Sequence, residues 1–266
     1  MNKFVKRIFF GIIYVAILIL GCSNQIYISI LFLFVGVIGN LELKKLLYNQ
    51  GIKIDTWPAI FLGVCGYFSV IYPEIISIFI IALLGYLMMT TFYSKKISFP
   101  KIGSTLFSIC YIFLPLALAV PIAKHNDIFE PSILISLFIL IWASDSWAYV
   151  TGSIFGKRKL LEKISPNKTW EGFIGSFLLT SITGGIVGLK YLDISFVEGI
   201  FLGGLTSCIG TCGDLFQSML KRAAKVKDSG NILPGHGGIL DRFDSILFCL
   251  PSYYVYFYFI RPSIFN

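Results

Sequence analysis

The chain has 266 residues, of which 56% are hydrophobic and only 14% are charged, and its formal net charge is +8. Soluble domains carry about 25% charged residues, so this chain has too little polar surface to cover a water-soluble globule. The composition excludes a soluble globular protein and indicates a single membrane domain over residues 1–266.

Nine apolar runs follow one another along the chain, each near the roughly 20 residues that a helical span of the bilayer requires. We predict spans at about 8–21, 25–40, 57–72, 74–92, 103–123, 131–150, 172–189, 195–212 and 243–260. The first two runs are short, and one re-entrant hairpin is an alternative for that pair. The predicted fold class is all-α and polytopic, with N-terminal spans over about 1–123 and a C-terminal part over about 131–266. In the eighth run, the spacing of Gly199 and Gly203 predicts close packing against another helix.

The lysine and arginine residues orient these spans. With the N-terminus in the cytoplasm, 19 of the 22 fall in cytoplasmic segments, and only Lys124, Lys190 and Arg261 lie outside. Because cytoplasmic loops of membrane proteins are enriched in Lys and Arg, this split predicts a cytoplasmic N-terminus. Such loops also attract anionic headgroups, so the net charge requires no nucleic-acid partner.

Two aspartates lie at membrane depth. Asp145 is near the cytoplasmic end of the sixth run, and Asp214 is where the eighth run ends. A carboxylate in an apolar span is costly and by default suggests a functional role. For Asp145, burial against a lysine of a neighbouring helix is the alternative.

The first of two long cytoplasmic loops contains Ser165–Gly172, which leads into a helix. Asn167 and Thr169 supply polar donors, and Lys168 lies near a helix N-terminus, which favours anions. The segment alone fits a structural helix cap and a phosphate-binding loop equally well.

The second loop, Ser218–Asp244, combines lysine and arginine with aspartate and with turn-forming glycine and proline. Cations of this kind hold phosphate oxygens, and carboxylates hold a divalent ion that bridges them. Asp214 and Asp241 bracket the loop at the ends of two consecutive spans. We therefore predict that they share a divalent ion, with Asp244 on the same helical face as Asp241.

The residues of this loop form a longer pattern. It reads Ser218-x-Leu220-Lys221-Arg222-x4-Lys227-Asp228-x-Gly230-x2-Leu233-Pro234-x-His236-Gly237-Gly238-Ile239-x-Asp241-Arg242-Phe243-Asp244. It resembles the signature of the phosphatidate cytidylyltransferases, also called CDP-diacylglycerol synthases. Ser165–Gly172, and Asp145–Tyr149 with Gly152, are similar to further blocks of that family. The resemblance covers the C-terminal half, with no departure within the signature.

The resemblance implies a helical membrane enzyme, usually a homodimer, that makes CDP-diacylglycerol and diphosphate from CTP and phosphatidate. It also implies a magnesium-dependent site in which Asp214 and Asp241 hold the metal. The active site is expected on the cytoplasmic side of a bacterial-type inner or plasma membrane, in contact with membrane lipid and without nucleic acid. Whether a second, monovalent cation assists magnesium stays open.

The expected roles follow from bringing two polyanions together. The phosphate of phosphatidate is ionised near neutral pH, so no general base is required. A divalent metal ion, together with Lys and Arg, is expected to stabilise the departing diphosphate. Asp244 and Asp145 are expected to support the two metal ligands. The other expected catalytic residues are Lys221, Arg222, Lys227 and Asp228. Substrate binding is expected from Ser165, Asn167, Lys168, Thr169, His236 and Arg242.

Two other classes of protein stay open. A CTP-dependent polyprenol or phytol kinase would use a similar architecture and the same nucleotide, but it would have to deprotonate or orient an alcohol. An anion transporter is expected to carry paired broken helices in repeated halves, and the sequence shows no internal repeat.

Overall fold

The structure, a computed structural model, describes residues 3–93, 98–125, 128–232 and 237–261. Its helices are α1 (Lys3–Cys22), α2 (Gln25–Asn49), α3 (Thr56–Ile71), α4 (Ile76–Tyr93), α5 (Phe99–Ser108), α6 (Leu114–Ala117), α7 (Ala119–Ala123), α8 (Ser132–Phe155), α9 (Trp170–Tyr191), α10 (Phe196–Ala223) and α11 (Leu240–Val255). A 3-10 turn covers Pro73–Ile75, and π-helical segments cover Ile109–Phe113 and Tyr256–Ile260. Two short antiparallel hairpins complete the description, β1 (Lys124–His125) with β2 (Ile128–Phe129) and β3 (Lys159–Leu161) with β4 (Ser165–Thr169).

Every predicted apolar run overlaps a helical segment. Within the described residues, seven segments are long and apolar enough to cross a membrane: Gln25–Asn49, Pro73–Phe92, Phe99–Ala123, Ser132–Phe155, Trp170–Tyr191, Phe196–Ala223 and Leu240–Ile260. Two further apolar helices, Phe9–Cys22 and Thr56–Ile71, are shorter. The prediction of an all-α polytopic chain is confirmed. The count of nine spans and the cytoplasmic N-terminus are not confirmed and stay predictions.

The chain divides into two compact units. The first unit comprises Met1–Pro121 and Ala223–Asp241, and the second comprises Ile122–Arg222 and Arg242–Asn266. The segment after α10 therefore belongs with the N-terminal helices, although it follows the C-terminal ones in sequence. That the two units form one membrane domain stays a prediction.

The first unit packs around Phe113, which is fully buried. A Cβ added at Gly36 would lie 3.0 Å from the Phe113 ring, and one at Gly63 would overlap that ring. The π-helical segment that carries Phe113 ends two residues before Pro115, whose missing N–H cannot make a regular helical hydrogen bond. Two glycines and a widened turn thus make room for one large side chain.

The second unit is built on α8, α9 and α10, which meet through small side chains. The buried Ser176 hydroxyl lies 2.9 Å from the Ser144 hydroxyl of α8 and 3.0 Å from the Ser207 hydroxyl of α10. A Cβ at Gly203 would collide with the Thr180 carbonyl oxygen, so the backbones of α9 and α10 are in contact there. The close packing predicted from the glycine spacing is present.

We expect Gly203→Ala to destabilise the protein, because the added methyl group has no space against the Thr180 carbonyl. Overpacking of this kind typically costs about 1–3 kcal/mol. The measurement is the thermal midpoint of the purified protein in detergent. Gly85→Ala is the matched control, because a Cβ there meets no atom within 4 Å in the described structure. Equal midpoints for the two variants would contradict the expectation.

Candidate active site

A β-hairpin in the second unit leads into the N-terminus of α9. Thr169 is the N-cap of this helix, with extended backbone angles, and its hydroxyl oxygen accepts a hydrogen bond from the Gly172 N–H at 3.1 Å. Glu171 Oε2 accepts hydrogen bonds from the backbone N–H groups of Lys157 at 2.9 Å and Arg158 at 3.1 Å. These bonds hold the hairpin against the start of α9. The helix cap that the sequence suggested is present in the structure.

A cavity of about 480 Å³ lies beside this helix start. Three segments that are far apart in sequence line it together: the C-terminal half of α8, the hairpin and the middle of α10. The lining residues are Ser144, Asp145, Ala148, Tyr149, Gly152, Ser153, Leu160, Asn167, Lys168, Thr169, Gly172, Phe173, Thr211 and Asp214. Five of the predicted site residues, Asp145, Asn167, Lys168, Thr169 and Asp214, are thereby brought to one place.

An ion pair joins two of these predicted residues. Lys168 Nζ lies 2.6 Å from Asp214 Oδ2, and the two side chains are 28% and 32% exposed. The Ser218 hydroxyl, one turn further along α10, donates to Asp214 Oδ1 at 3.3 Å. The loop predicted to bind phosphate and the aspartate predicted to bind metal are thus in direct contact.

Two further carboxylates lie near this ion pair. Asp145 and Asp244 both lie close enough to Asp214 for their charges to repel. Positive charge comes from Lys168 and Arg242 near Asp145 and from Lys221 near Asp244. Negative charge concentrated beside an apolar helix bundle is costly without cations, so the cluster is suited to attract one.

The donor chemistry of this cluster fits magnesium. Carboxylate oxygens are the hard ligands that Mg²⁺ prefers, and it usually takes only one or two of them, completing its shell with water and substrate phosphate. In the described part of the chain, no three His, Cys, Asp or Glu side chains converge into a ready-made metal cage. An open site with one or two carboxylates is therefore the arrangement that the residues permit.

The remaining predicted residues have different surroundings. Lys221 and Arg222 lie in the last turn of α10, where Arg222 Nε donates to the Ile164 carbonyl at 3.2 Å and so supports the hairpin. Ser165 is the first residue of β4, and Arg242 is exposed on α11. His236 lies outside the described residues.

The first unit contains the other part of the signature. Lys227 and Asp228 are exposed there, and Asp241 Oδ2 accepts hydrogen bonds from the N–H groups of Ser229 at 2.8 Å and Gly238 at 3.0 Å. A metal ion shared by Asp214 and Asp241 stays a prediction.

Several cavity residues are not among the predicted site residues, although Tyr149 and Gly152 belong to a block that resembles the family. Tyr149 and Gly152 follow Asp145 by four and seven residues, and Thr211 precedes Asp214 by three. These spacings place each of them on the same helical face as the aspartate. A search for the residues three, four and seven positions from each aspartate, which lie on the same helical face, would have identified them.

Comparison with known proteins gives one consistent family. A sequence model of the cytidylyltransferase family matches residues 4–260. The chain is 34% identical over 250 residues to the phosphatidate cytidylyltransferase of Bacillus subtilis (strain 168), covering 85% of this chain and 92% of that protein. It is 33% identical over 233 residues to the phosphatidate cytidylyltransferase of Staphylococcus aureus (strain COL), covering 84% and 87%. A Haemophilus influenzae protein of the same name is 43% identical over 141 residues, covering 51% of this chain and 48% of that protein.

Proposed function

The chain belongs to the cytidylyltransferase family, and we propose that it makes CDP-diacylglycerol and diphosphate from CTP and phosphatidate. The observation that carries the proposal is the Lys168–Asp214 ion pair on the wall of the cavity. It joins a segment suited to phosphate with a cluster of carboxylates suited to a divalent ion. Relatives that carry the name of this activity match most of the chain, which supports the same reaction.

The reaction is a substitution at the α-phosphorus of CTP. An oxygen of the lipid phosphate forms the new bond to this phosphorus, and the bond from it to the β-phosphate oxygen breaks, so that diphosphate leaves. The nucleophile is a phosphate monoester whose second pKa is about 6, so it is ionised without help from a base. The task of the protein is to hold two polyanions together and to stabilise the departing charge.

The residues of the cavity fit this task. Asp214, with Asp145 and Asp244 nearby, would hold magnesium together with phosphate oxygens of CTP, and Asp241 is proposed as its further ligand from the signature. When bound, magnesium supplies the positive charge that offsets the phosphates and the leaving diphosphate. Lys168, Lys221 and Arg242 bring further positive charge to the same carboxylates and are proposed to contact phosphate oxygens.

We also propose the cytoplasmic side for the active site and a homodimer for the assembly. The distribution of Lys and Arg supports the first, since CTP is supplied from the cytoplasm and basic loops face it. The family resemblance supports the second. No nucleic acid is required as a partner.

Purified protein with CTP labelled at one phosphorus tests the reaction. With the label on the α-phosphorus, we expect it in CDP-diacylglycerol, and with the label on the γ-phosphorus, we expect it in diphosphate. Transfer of the γ-label to a polyprenol or phytol would instead identify a lipid kinase. No turnover in the presence of magnesium and phosphatidate would contradict the proposal.

A further inference from the structure

Glu42 of α2 is a carboxylate that is only 1% exposed, in a helix that is otherwise mostly apolar. Burying a carboxylate in such surroundings is expensive unless donors satisfy its oxygens. Such a residue calls for a structural or functional reason, and Glu42 lies far outside the C-terminal signature.

Two backbone donors to Glu42 come from the segment that ends the signature, within the first unit. Glu42 Oε1 accepts from the Ile239 N–H at 2.9 Å, and Oε2 accepts from the Leu240 N–H at 3.0 Å. Leu240 begins α11, whose first N–H groups have no partner within the helix. Glu42 therefore caps α11 from another helix, with its negative charge at the positive end of the helix dipole.

Glu42 also reaches the other end of the same loop. The Ser229 hydroxyl lies 2.7 Å from Glu42 Oε2 and 3.1 Å from Asp241 Oδ2. Since a hydroxyl has one proton, it donates to the nearer oxygen, that of Glu42, while the Ser229 N–H donates to Asp241 at 2.8 Å. Ser229 thus connects Glu42 with Asp241, and the two carboxylates tie residue 229 to residues 238–240.

Two glycines of the signature are shaped by this contact. A Cβ at Gly230 would collide with the Glu42 carboxylate, and one at Gly238 would lie 2.5 Å from Glu42 Oε2. The close approach of the loop backbone to Glu42 therefore requires the absence of a side chain at both positions. This is a second observation, independent of the hydrogen bonds, that the loop is built around Glu42.

We propose that Glu42 is a positioning residue for the reaction: it holds Ser229 together with Ile239 and Leu240 and thereby fixes Asp241 in the orientation that catalysis requires. This inference rests on the proposed function, because it assigns Glu42 a part in that reaction. Glu42 is not assigned as a catalytic residue, since both of its carboxylate oxygens accept hydrogen bonds from Ser229, Ile239 and Leu240.

The test is Glu42→Gln, which keeps the shape but places an amide NH2 against loop N–H and hydroxyl donors. We expect kcat for CDP-diacylglycerol formation to fall about 10- to 100-fold, with KM for CTP within about twofold of wild type, as misplacement by about 1 Å can cost 10²-fold. Glu198→Gln is the matched control, because Glu198 also accepts a hydrogen bond near a helix start, but its donor, the Ser195 N–H, lies outside the signature. Its kcat is expected to stay unchanged.

A second readout does not depend on activity. Trypsin cleavage after the exposed Lys225 and Lys227, identified by mass spectrometry, is expected to become about tenfold faster in Glu42→Gln when Glu42 no longer holds Ser229. If wild type proves inactive while cleavage still accelerates, the proposed function and the part in the reaction assigned to Glu42 are overturned, and only its contacts with Ser229, Ile239 and Leu240 stand. If Glu42→Gln fails to fold, Ser229→Ala tests the same connection, with a smaller expected fall in kcat. Wild-type kcat and wild-type cleavage in a folded variant would overturn the proposal.

Discussion

Asp214→Asn is expected to lower kcat for CDP-diacylglycerol formation by about 10²–10³-fold, the loss typical of removing one electrostatic contact to the transition state. Asn preserves the size of the side chain but removes the charge that pairs with Lys168 at 2.6 Å and that would hold magnesium. Asp145 and Asp244 are not expected to replace it, because Asp214 is the carboxylate that pairs directly with Lys168 at the cavity. Insertion into the membrane should be unaffected, since the change makes α10 less charged.

The measurement is product formation from labelled CTP by purified variants of equal thermal midpoint. Asp193→Asn provides the matched control, because Asp193 is exposed, has a φ of 48° that Asn tolerates well, and does not line the cavity. It should retain wild-type kcat. If Asp214→Asn retains most of its activity, the assignment of Asp214 to the metal is wrong.

Lys168→Met is expected to reduce kcat/KM for CTP by about 10- to 100-fold. Methionine keeps much of the apolar stem and loses the ammonium group, and a hydrogen bond to a charged group is worth about 1.5–3 kcal/mol. Because the same change leaves Asp214 without its ion-pair partner, we expect the loss to appear in KM as well as in kcat. Steady-state kinetics over a range of CTP concentrations separates the two.

Lys163→Met is the control for this variant, because Lys163 lies on the same hairpin, is exposed and does not line the cavity. Its kinetics should match wild type, which would show that the effect of Lys168→Met is not a general loss of positive charge. Lys168→Arg should recover part of the activity. Equal kinetics for Lys163→Met and Lys168→Met would remove Lys168 from the site.

Hydropathy located the helices but not their ends. The second run was predicted over 25–40, whereas α2 continues to Asn49, and the eighth was predicted over 195–212, whereas α10 continues to Ala223. The two apolar runs stop near Glu42 and Asp214, and good helix formers such as Lys44 and Lys221 continue each helix beyond the apolar stretch. The hairpin β3–β4 was not predicted, because its two short strands carry no clear alternation of apolar and polar residues.

The candidate site was partly accessible from the sequence. The aspartates in apolar runs and the loop containing Lys168 were identified by residue type and position, and the cavity brings them together. The ion pair itself was not predicted, because Lys168 and Asp214 lie on different segments and nothing local in the sequence states their distance. For Asp145, the alternative was burial against a lysine of a neighbouring helix; the lysine near it is Lys168 on β4, which pairs directly with Asp214.

The contacts of Glu42 could not be predicted from the sequence. Its partners are separated from it by 187 to 198 positions, so no periodicity or spacing links them. The only local signal is a carboxylate at the end of an apolar run, which resembles an ordinary cytoplasmic boundary. Its burial became visible only once the chain segment after α10 was found among the N-terminal helices.

The central claim is that Asp214 holds a divalent ion at the cavity together with CTP. Its most direct test is the binding of Mn²⁺, as a spectroscopic substitute for Mg²⁺, measured by electron paramagnetic resonance on purified wild type and Asp214→Asn with saturating CTP. The claim predicts that Asp214→Asn binds protein-associated Mn²⁺ at least about tenfold more weakly, since even the loss of a residue that only supports a metal ligand costs 10–100-fold. Wild-type affinity for Mn²⁺ in a correctly folded Asp214→Asn variant would contradict it.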